Sequence, residues 1–315
     1  MSGLVIRPLT ENDLVAADRI NRVAFGTFFG LPNPLEFRGD GEVVQGRLRR
    51  NPDGAFAADL DGELVACGFV MDWGSVGIFG PLTVDVNHWG KGIARQMLDA
   101  MTAYMDARGF TLHGLFTHPQ SATHIRLYEA YGFRMQRVTA VMDKQVDPAC
   151  SMSADTVGFS SLNDSGRETA LKQCAAITET VYAGMDLTSE ILSIDENGFG
   201  DTLLLQIDGD WVGFACCHQG TGSEAGSSQT LVKFAAVASD ASAGRHFGRL
   251  LEGCESFAAQ RGTGRLVAGT NSGRGGCYEM LLKAGFRTWM NGIAMIKPDH
   301  DGYNTSAAYV IDDWR

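Results

Sequence analysis

The feature that most constrains the fold is a repeat, because the 315-residue chain shows the same landmarks twice, in one order and at nearly one offset. The matched landmarks, with their offsets in residues, are Asp61-Gly62 and Asp208-Gly209 (147), Arg108-Gly109 and Arg261-Gly262 (153), Gly132-Phe133 and Gly285-Phe286 (153), and Gly90 and Gly244 (154). Such a pattern indicates tandem duplication of a unit of about 150 residues.

The two units meet in a short polar stretch, residues 147–154, which is brief enough to keep them packed together. We therefore expect a first domain over residues 1–148 and a second over residues 155–300. The tail over residues 301–315 contains Tyr303, Tyr309 and Trp314, so we expect it to dock on the body of the protein.

The first unit contains a strand, a glycine turn and a helix in immediate succession. The run from Leu82 to Val86 is apolar and β-branched, as in a strand, and the chain then turns through Gly90 and Gly92. Apolar residues recur at helical spacing from Ile93 onward. The amides and positive dipole end of such a helix attract anions, and glycines let a phosphate approach the backbone.

A second motif follows some thirty residues later, Leu127-Tyr128-Glu129-Ala130-Tyr131-Gly132-Phe133. Gly132 is placed to end a helix, and Phe133 to begin the next strand. The two motifs together resemble the GNAT superfamily (Gcn5-related N-acetyltransferases). The order β-α-α-β-β-β-α-β-α-β over residues 4–145 is that family's order. The resemblance implies an α+β, α/β/α-layered protein, each copy having a mixed, mostly antiparallel, splayed central sheet.

The resemblance also implies a donor and a site. The loop amides would hold the pyrophosphate of acetyl-CoA, Tyr128 would protonate the departing thiolate, and no metal would take part. An amide at the Thr83–Val84 end of the fourth strand would stabilise the oxyanion of a tetrahedral intermediate. The residues expected to bind the donor are Leu82, Thr83, Val84, Trp89, Gly90, Lys91, Gly92, Ile93, Ala94, Arg95 and Ser121.

Departures from the family pattern leave the general base open. Trp89 stands where Arg or Gln is common, and the fourth strand lacks the usual glutamate. The candidate bases are a water chain to bulk solvent and the side chains of His118, Glu36, Asp72 and Asp85. The spacing of His113, His118 and His124 fits no metal-ligand pattern. Two hypotheses follow: an N-acetyltransferase acting on a primary amine of a small molecule or a protein, and a non-catalytic acyl-CoA-binding sensor.

The second unit lacks two features of the first. Its loop, residues 243–248, has His246 in place of the second glycine, which makes close approach of a phosphate harder. Leu281 stands four residues before Gly285, and Tyr278 stands seven before it. We expect this unit to be degenerate.

Composition restricts the partners. With 26 basic and 37 acidic residues the formal charge is −11, which argues against nucleic acid or an anionic membrane and mildly favours a cationic acceptor. The seven cysteines form no C-x-x-C pair, and neither a signal peptide nor a membrane span is evident. We expect a cytoplasmic monomer or homodimer whose aromatic loop, residues 25–34, forms a wall of the acceptor pocket.

Overall fold

A computed structural model describes residues 3–150, 155–300 and 302–315. Its strands are β1 (Leu4–Pro8), β2 (Ala55–Leu60), β3 (Glu63–Trp73), β4 (Val76–Val84), β5 (Leu112–Thr117), β6 (Arg134–Gln145), β7 (Thr156–Gly158), β8 (Gly200–Ile207), β9 (Asp210–Gly220), β10 (Gly226–Val237), β11 (Arg265–Asn271), β12 (Arg287–Lys297) and β13 (Val310–Ile311). Its helices are α1 (Leu14–Phe28), α2 (Val44–Arg50), α3 (Ile93–Arg108), α4 (Ala122–Ala130), α5 (Asp164–Val181), α6 (Thr188–Asn197), α7 (Ala243–Gln260) and α8 (Gly275–Lys283). Residues 151–154, half of the predicted junction, lie outside the described residues.

The predicted fold class is confirmed. The strands form one mixed sheet in the order β1-β2-β3-β4-β5-β12-β6-β11-β10-β9-β8-β7, with β13 beside β10. Among the described strands, only the pairs β4–β5 and β10–β11 are parallel. Two hairpins turn at the repeated pairs Asp61-Gly62 and Asp208-Gly209, where all four residues have positive φ. That conformation matches the twist of the flanking strands, which explains why Asp-Gly recurs.

The two halves exchange their last strands. β12, from the second half, lies between β5 and β6 of the first. β6 in turn pairs along its length with β11 of the second half, from Thr139 opposite Asn271 to Gln145 opposite Arg265. The two sheets are therefore joined into one, which the order of elements along the chain does not reveal.

A large part of the core lies between the halves. One buried cluster combines Trp73 and Ile78 of the first half with Phe214 and Phe234 of the second, and Trp314 of the tail packs into the same cluster. Burial of such side chains is worth about 1.5–3 kcal/mol each, so this contact is a principal source of stability. None of the described helices is long and apolar enough to cross a bilayer.

Two predicted loops differ from the structure. Residues 243–248 are not a loop, because α7 already begins at Ala243. The carboxylate of Asp240 accepts a hydrogen bond from the Ser242 amide (2.6 Å), which closes the turn just before the helix. The corresponding helix of the first half, α3, begins only at Ile93, after a true glycine turn. The predicted aromatic loop is also partly helical, since α1 continues to Phe28.

Candidate active site

The site is a gap between two neighbouring strands. β4 and β5 pair only from Val76 opposite Leu112 to Phe79 opposite Leu115. Beyond that point β4 continues alongside β3 as far as Val84 but leaves β5. The gap widens into a cavity of about 1120 Å³. A parallel pair that opens in this way exposes backbone groups inside the protein, where a ligand can use them.

The free edge of β4 faces this cavity. The Asp85 amide donates to the Val65 carbonyl oxygen (2.8 Å). In an antiparallel pair, the backbone groups of alternate residues point toward the partner strand, so this bond shows which residues of β4 face β3. Thr83 then directs its backbone groups toward β3, while Leu82 and Val84 direct theirs into the gap. The Val84 carbonyl oxygen accepts from the Trp89 indole N–H (2.8 Å). Trp89, an unusual residue at this position, thus fixes the loop on the strand.

The glycine turn is open toward the cavity. Gly90 and Gly92 have φ of +75° and +79°, which only glycine adopts at little cost, and no other atom comes within 4 Å of a Cβ placed on either. No side chain caps the start of α3. The first amides of this helix therefore remain available to an anion.

The cavity brings together most of the predicted site. Ten of the eleven expected donor-binding residues line it, as does Tyr128. Lys91 does not line it, and its side chain points to solvent. The ten residues are Leu82, Thr83, Val84, Trp89, Gly90, Gly92, Ile93, Ala94, Arg95 and Ser121.

Tyr128 is half-buried where β4 and β5 diverge. Its ring packs edge-on against Phe79 (5.5 Å between centroids) and beside His124 (6.5 Å). Burial raises the pKa of Tyr128 to about 12, so its hydroxyl stays protonated at neutral pH. No hydrogen bond from this hydroxyl is found within the described part of the chain. By contrast, the neighbouring Tyr131 hydroxyl is bonded to the Arg95 carbonyl oxygen and the Asp99 carboxylate.

Of the four side chains considered as bases, only His118 lines the cavity. Asp72 pairs with Arg108, Asp85 accepts from the Asn87 amide, and Glu36 accepts from the Asn33 side chain.

His118 is buried rather than exposed. Its ring contacts Phe28 and Phe29, with centroids 5.3 and 5.0 Å away. Burial, with smaller effects from His124 and Arg315, lowers the pKa of His118 to about 4. His118 is consequently neutral near pH 7 and a weak base.

Aromatic rings form one wall of the cavity, as expected for residues 25–34. Phe25, Phe29 and Phe37 stack in one group, with centroids 5.2–6.4 Å apart. Offset stacking of this kind holds rings rigidly and gives an apolar surface for the body of a ligand.

The second half supplies the opposite wall, which no motif indicates. Strand exchange brings β10, β11 and β12 to the first-half site, and the tail follows them. The lining residues from this half are Glu224, Ala225, Gln229, Arg265, Val267, Trp289, Met290, Trp314 and Arg315.

A buried ion network supports this wall. Glu224 pairs with Arg47 (2.9 Å) and Lys233 (2.6 Å). Arg47 also donates to the Gly80 carbonyl oxygen (2.6 Å), and both cations donate to the Arg315 carbonyl oxygen (2.8 and 2.7 Å). The pKa of Glu224 is held well below its usual range by Arg47 and Lys233, against the opposing effect of burial. Glu224 is therefore ionised and too weak a base to deprotonate an amine.

The equivalent gap of the second half is filled by the tail. β13 pairs with Ala235 and Ala236 of β10, the residues that correspond to Pro81 and Leu82 at an offset of 154. The Tyr309 hydroxyl would lie 2.9 Å from a Cβ added at Gly244. Leu281, at the position equivalent to Tyr128, is fully buried. The tail thus occupies the strand edge that remains open in the first half.

Residues 21–133 match the model of the acetyltransferase (GNAT) family, and the complete fold is that of solved GNAT structures. The family match lies within the first half, and the structural likeness extends over the fold of the whole chain.

A Pyrococcus horikoshii protein described as an acetyltransferase is similar over 100% of this chain and 96% of its own (16% identity, TM-score 0.72). A GCN5-related N-acetyltransferase from Sphaerobacter thermophilus is similar over 94% and 96% of the two chains (14% identity, TM-score 0.59). A tandem GNAT protein from the clavulanic acid biosynthesis pathway covers 94% and 100% (13% identity, TM-score 0.56). No curated protein matches this sequence. Among the described residues, no three His, Cys, Asp or Glu side chains are grouped as metal ligands.

Proposed function

We propose that this protein is an acetyl-CoA-dependent N-acetyltransferase with a single active site in its first half. The observation that carries the proposal is the coincidence of three features at one cavity: the uncapped helix start behind Gly90 and Gly92, the open edge of β4, and the protonated Tyr128. Each of them suits a different part of an acyl-CoA molecule.

The cavity fits the donor in shape and chemistry. The open glycine turn suits the pyrophosphate, with Arg95 and Arg126 on the same lining. The backbone groups of Leu82 that face the gap suit an amide of an extended arm, and the Val84 amide remains for the oxyanion. In the second half, β13 pairs with the equivalent edge of β10. There the chain itself makes the backbone hydrogen bonds that we propose for the donor in the first half.

The reaction balances with the groups present. The neutral amine nitrogen attacks the thioester carbon, the new C–N bond forms, and the C–S bond breaks. The backbone at Thr83–Val84 supplies an amide for the oxyanion, and the Tyr128 hydroxyl gives its proton to the thiolate. Solvent restores the tyrosine proton, and the proton lost by the amine leaves through water, because the pKa of His118 is too low to take it.

Calorimetric titration of acetyl-CoA tests the number and place of the sites. We expect one site per chain, weakened at least tenfold by Gly92→Asp, since about 1.4 kcal/mol of repulsion is enough for that change. Gly92→Ala separates the backbone strain of a side chain from the effect of its charge. Gly248→Asp, in the second half, should leave binding intact. Two sites, or full affinity in Gly92→Asp, would contradict the proposal.

The sensor hypothesis is kept because the one carboxylate among the described lining residues, Glu224, is already paired with Arg47. The described lining therefore has no free carboxylate that could act as the general base. A sensor would bind acetyl-CoA but release no thiol when amines are added. Amine-dependent thiol release therefore decides between the two functions. We further propose a reducing compartment such as the cytoplasm, because the six buried cysteines, Cys67, Cys174, Cys216, Cys217, Cys254 and Cys277, remain free thiols.

A further inference from the structure

The cavity is far more positive than the protein that surrounds it. The chain carries a formal charge of −11, yet among the described residues that line the cavity Glu224 is the one carboxylate. Its arginines are Arg38, Arg95, Arg126, Arg265 and Arg315. The phosphates of the donor account for Arg95 and Arg126, which belong to the glycine turn and to α4. Three arginines at the aromatic end of the cavity remain unexplained.

Arg38 differs from the other two in its ion pairing. Arg265 pairs with Asp143 (2.5 Å) and Arg315 with Asp313 (2.8 Å), but no ion pair of Arg38 is found in the described part of the chain. The buried Nε atoms of Arg38 and Arg315 both lack a hydrogen-bond partner there. A buried polar atom without an acceptor is costly unless a ligand supplies one.

The surrounding network has no spare negative charge for Arg38. Its buried carboxylates are Glu190, Glu224 and Asp313, and its cations are Arg38, Arg47, Arg50, Lys233 and Arg315. Five cations thus face three carboxylates, and each carboxylate already has a partner. Burial, together with the positive charge of Arg47, lowers the pKa of Lys233 to about 8, in keeping with this excess.

The chain holds Arg38 in an unfavourable conformation. Its φ is +68°, which costs a residue with a side chain about 1 kcal/mol. The Arg22 guanidinium enforces this turn by donating to the carbonyl oxygens of Phe37, Gly39 and Gly41 at 2.7–2.8 Å. The Arg38 guanidinium then lies over the Phe37 ring, 5.3 Å from its centroid. The strained turn aims the cation at the aromatic end of the cavity.

We propose that the acceptor of this enzyme is an amine that also carries a carboxylate, which pairs with Arg38 while the body of the acceptor lies between the phenylalanine wall and Trp289. This rests on the proposed function and names its substrate class. It replaces the cationic acceptor that the net charge suggests. A cationic group of an acceptor would have to pair with Glu224. The Glu224 oxygens already accept hydrogen bonds from Arg47 and Lys233, so they are not free to bind it.

The test uses the full-length protein saturated with CoA, so that no reaction occurs. Calorimetry compares α-, β- and γ-amino acids bearing apolar side chains with their carboxamides, which keep the amine and lose the negative charge. We expect at least one acid to bind about tenfold or more tightly than its amide, as for a charge-assisted hydrogen bond. Arg38→Gln should abolish that preference, and Arg38→Lys should keep part of it. Arg19→Gln, an exposed arginine on α1, is the matched control.

Three results would overturn the inference. One is equal binding of acids and amides, another is an acid preference that survives Arg38→Gln, and the third is a large loss of CoA affinity in Arg38→Gln, which would assign Arg38 to the donor. Acetylation is then measured with the same amino acids and carboxamides. Rates are compared at equal concentrations of the neutral amine, because the two kinds of compound differ in the pKa of the amine. Acid-selective binding without thiol release would refute the acetyltransferase and keep the carboxylate site. Thiol release without a preference for the acids would support the acetyltransferase and refute the carboxylate site.

Discussion

At the scale of single residues, the reaction that we propose depends on a tyrosine whose surroundings keep it protonated. Replacing Tyr128 by Phe keeps the ring between Phe79 and His124 but removes the proton donor. We expect kcat to fall at least about a hundredfold, the lower end of the range for general acid catalysis, with little change in acetyl-CoA affinity. Steady-state kinetics of thiol release measures both. Tyr278→Phe, in the second half, is the matched control and should be silent.

His118 should affect stability in acid rather than catalysis at neutral pH. Its folded-state pKa of about 4 lies below the unfolded value of 6.5, so the unfolded chain binds more protons between these limits. The contribution of His118 to the free energy of unfolding therefore falls as the pH drops below 6.5, by up to about 3 kcal/mol at pH 4.

Urea unfolding from pH 4 to 7 should show a shallower pH dependence in His118→Gln than in the native protein. In the same variant, the rise of kcat/KM with pH above 6 should persist, because it reports the amine. Loss of that rise would instead identify His118 as the base.

The site residues differ in how far the sequence could predict them. Tyr128 and the glycine turn lie in motifs whose function depends on local spacing, so the sequence alone indicated them. Arg38, Glu224 and Arg315 meet only because the second half and the tail fold onto the first. Their charges look like ordinary surface charges in the sequence, and α2 reads as a polar helix although Arg47 is buried.

At the scale of elements, the tail acts as a fixed strand rather than a loose end. Arg274 is fully buried and pairs with Asp312 (2.7 Å), whose carboxylate also accepts from the Tyr303 hydroxyl. This pair anchors the segment that fills the second-half gap and then delivers Trp314 and Arg315 to the first-half cavity.

Asp312→Asn should therefore be severely destabilising, because it leaves the Arg274 charge buried without a partner. We expect a loss of about 3 kcal/mol in the free energy of unfolding, as is usual for breaking a buried ion pair. Chemical denaturation measures it, with Asp164→Asn at the exposed start of α5 as the control. A loss below 0.5 kcal/mol would show that the tail is not held by this pair.

The order of elements was largely predictable, because hairpin glycines and amphipathic helices are local signals. The wrong loop at residues 243–248 has a clear cause. A glycine at the expected offset suggested a turn. Unlike Gly90, however, Gly244 does not have a positive φ, and it lies in the first turn of α7.

At the scale of the whole molecule, strand exchange makes the halves depend on each other. Expressed alone, residues 1–150 would have β6 but would lack β12, the neighbour of β5. We expect each half to aggregate or to form exchanged dimers by itself, and the two halves to give a soluble 1:1 complex when co-expressed. Size-exclusion chromatography with light scattering distinguishes these states. A stable monomeric first half would contradict the expectation.

The exchange also bears on how such a protein can change after its gene has duplicated. A second copy that merely sat beside the first could be deleted once it lost its own donor site. Here a deletion would remove β12 from the middle of the sheet and Arg265 and Trp289 from the surviving cavity. The second copy is thus free to lose catalysis but not to disappear. Among descendants of one ancestor, the start of α7 at residues 243–248 should vary, while the cavity-facing strands of the second half stay under selection for the reaction that we propose for the first half.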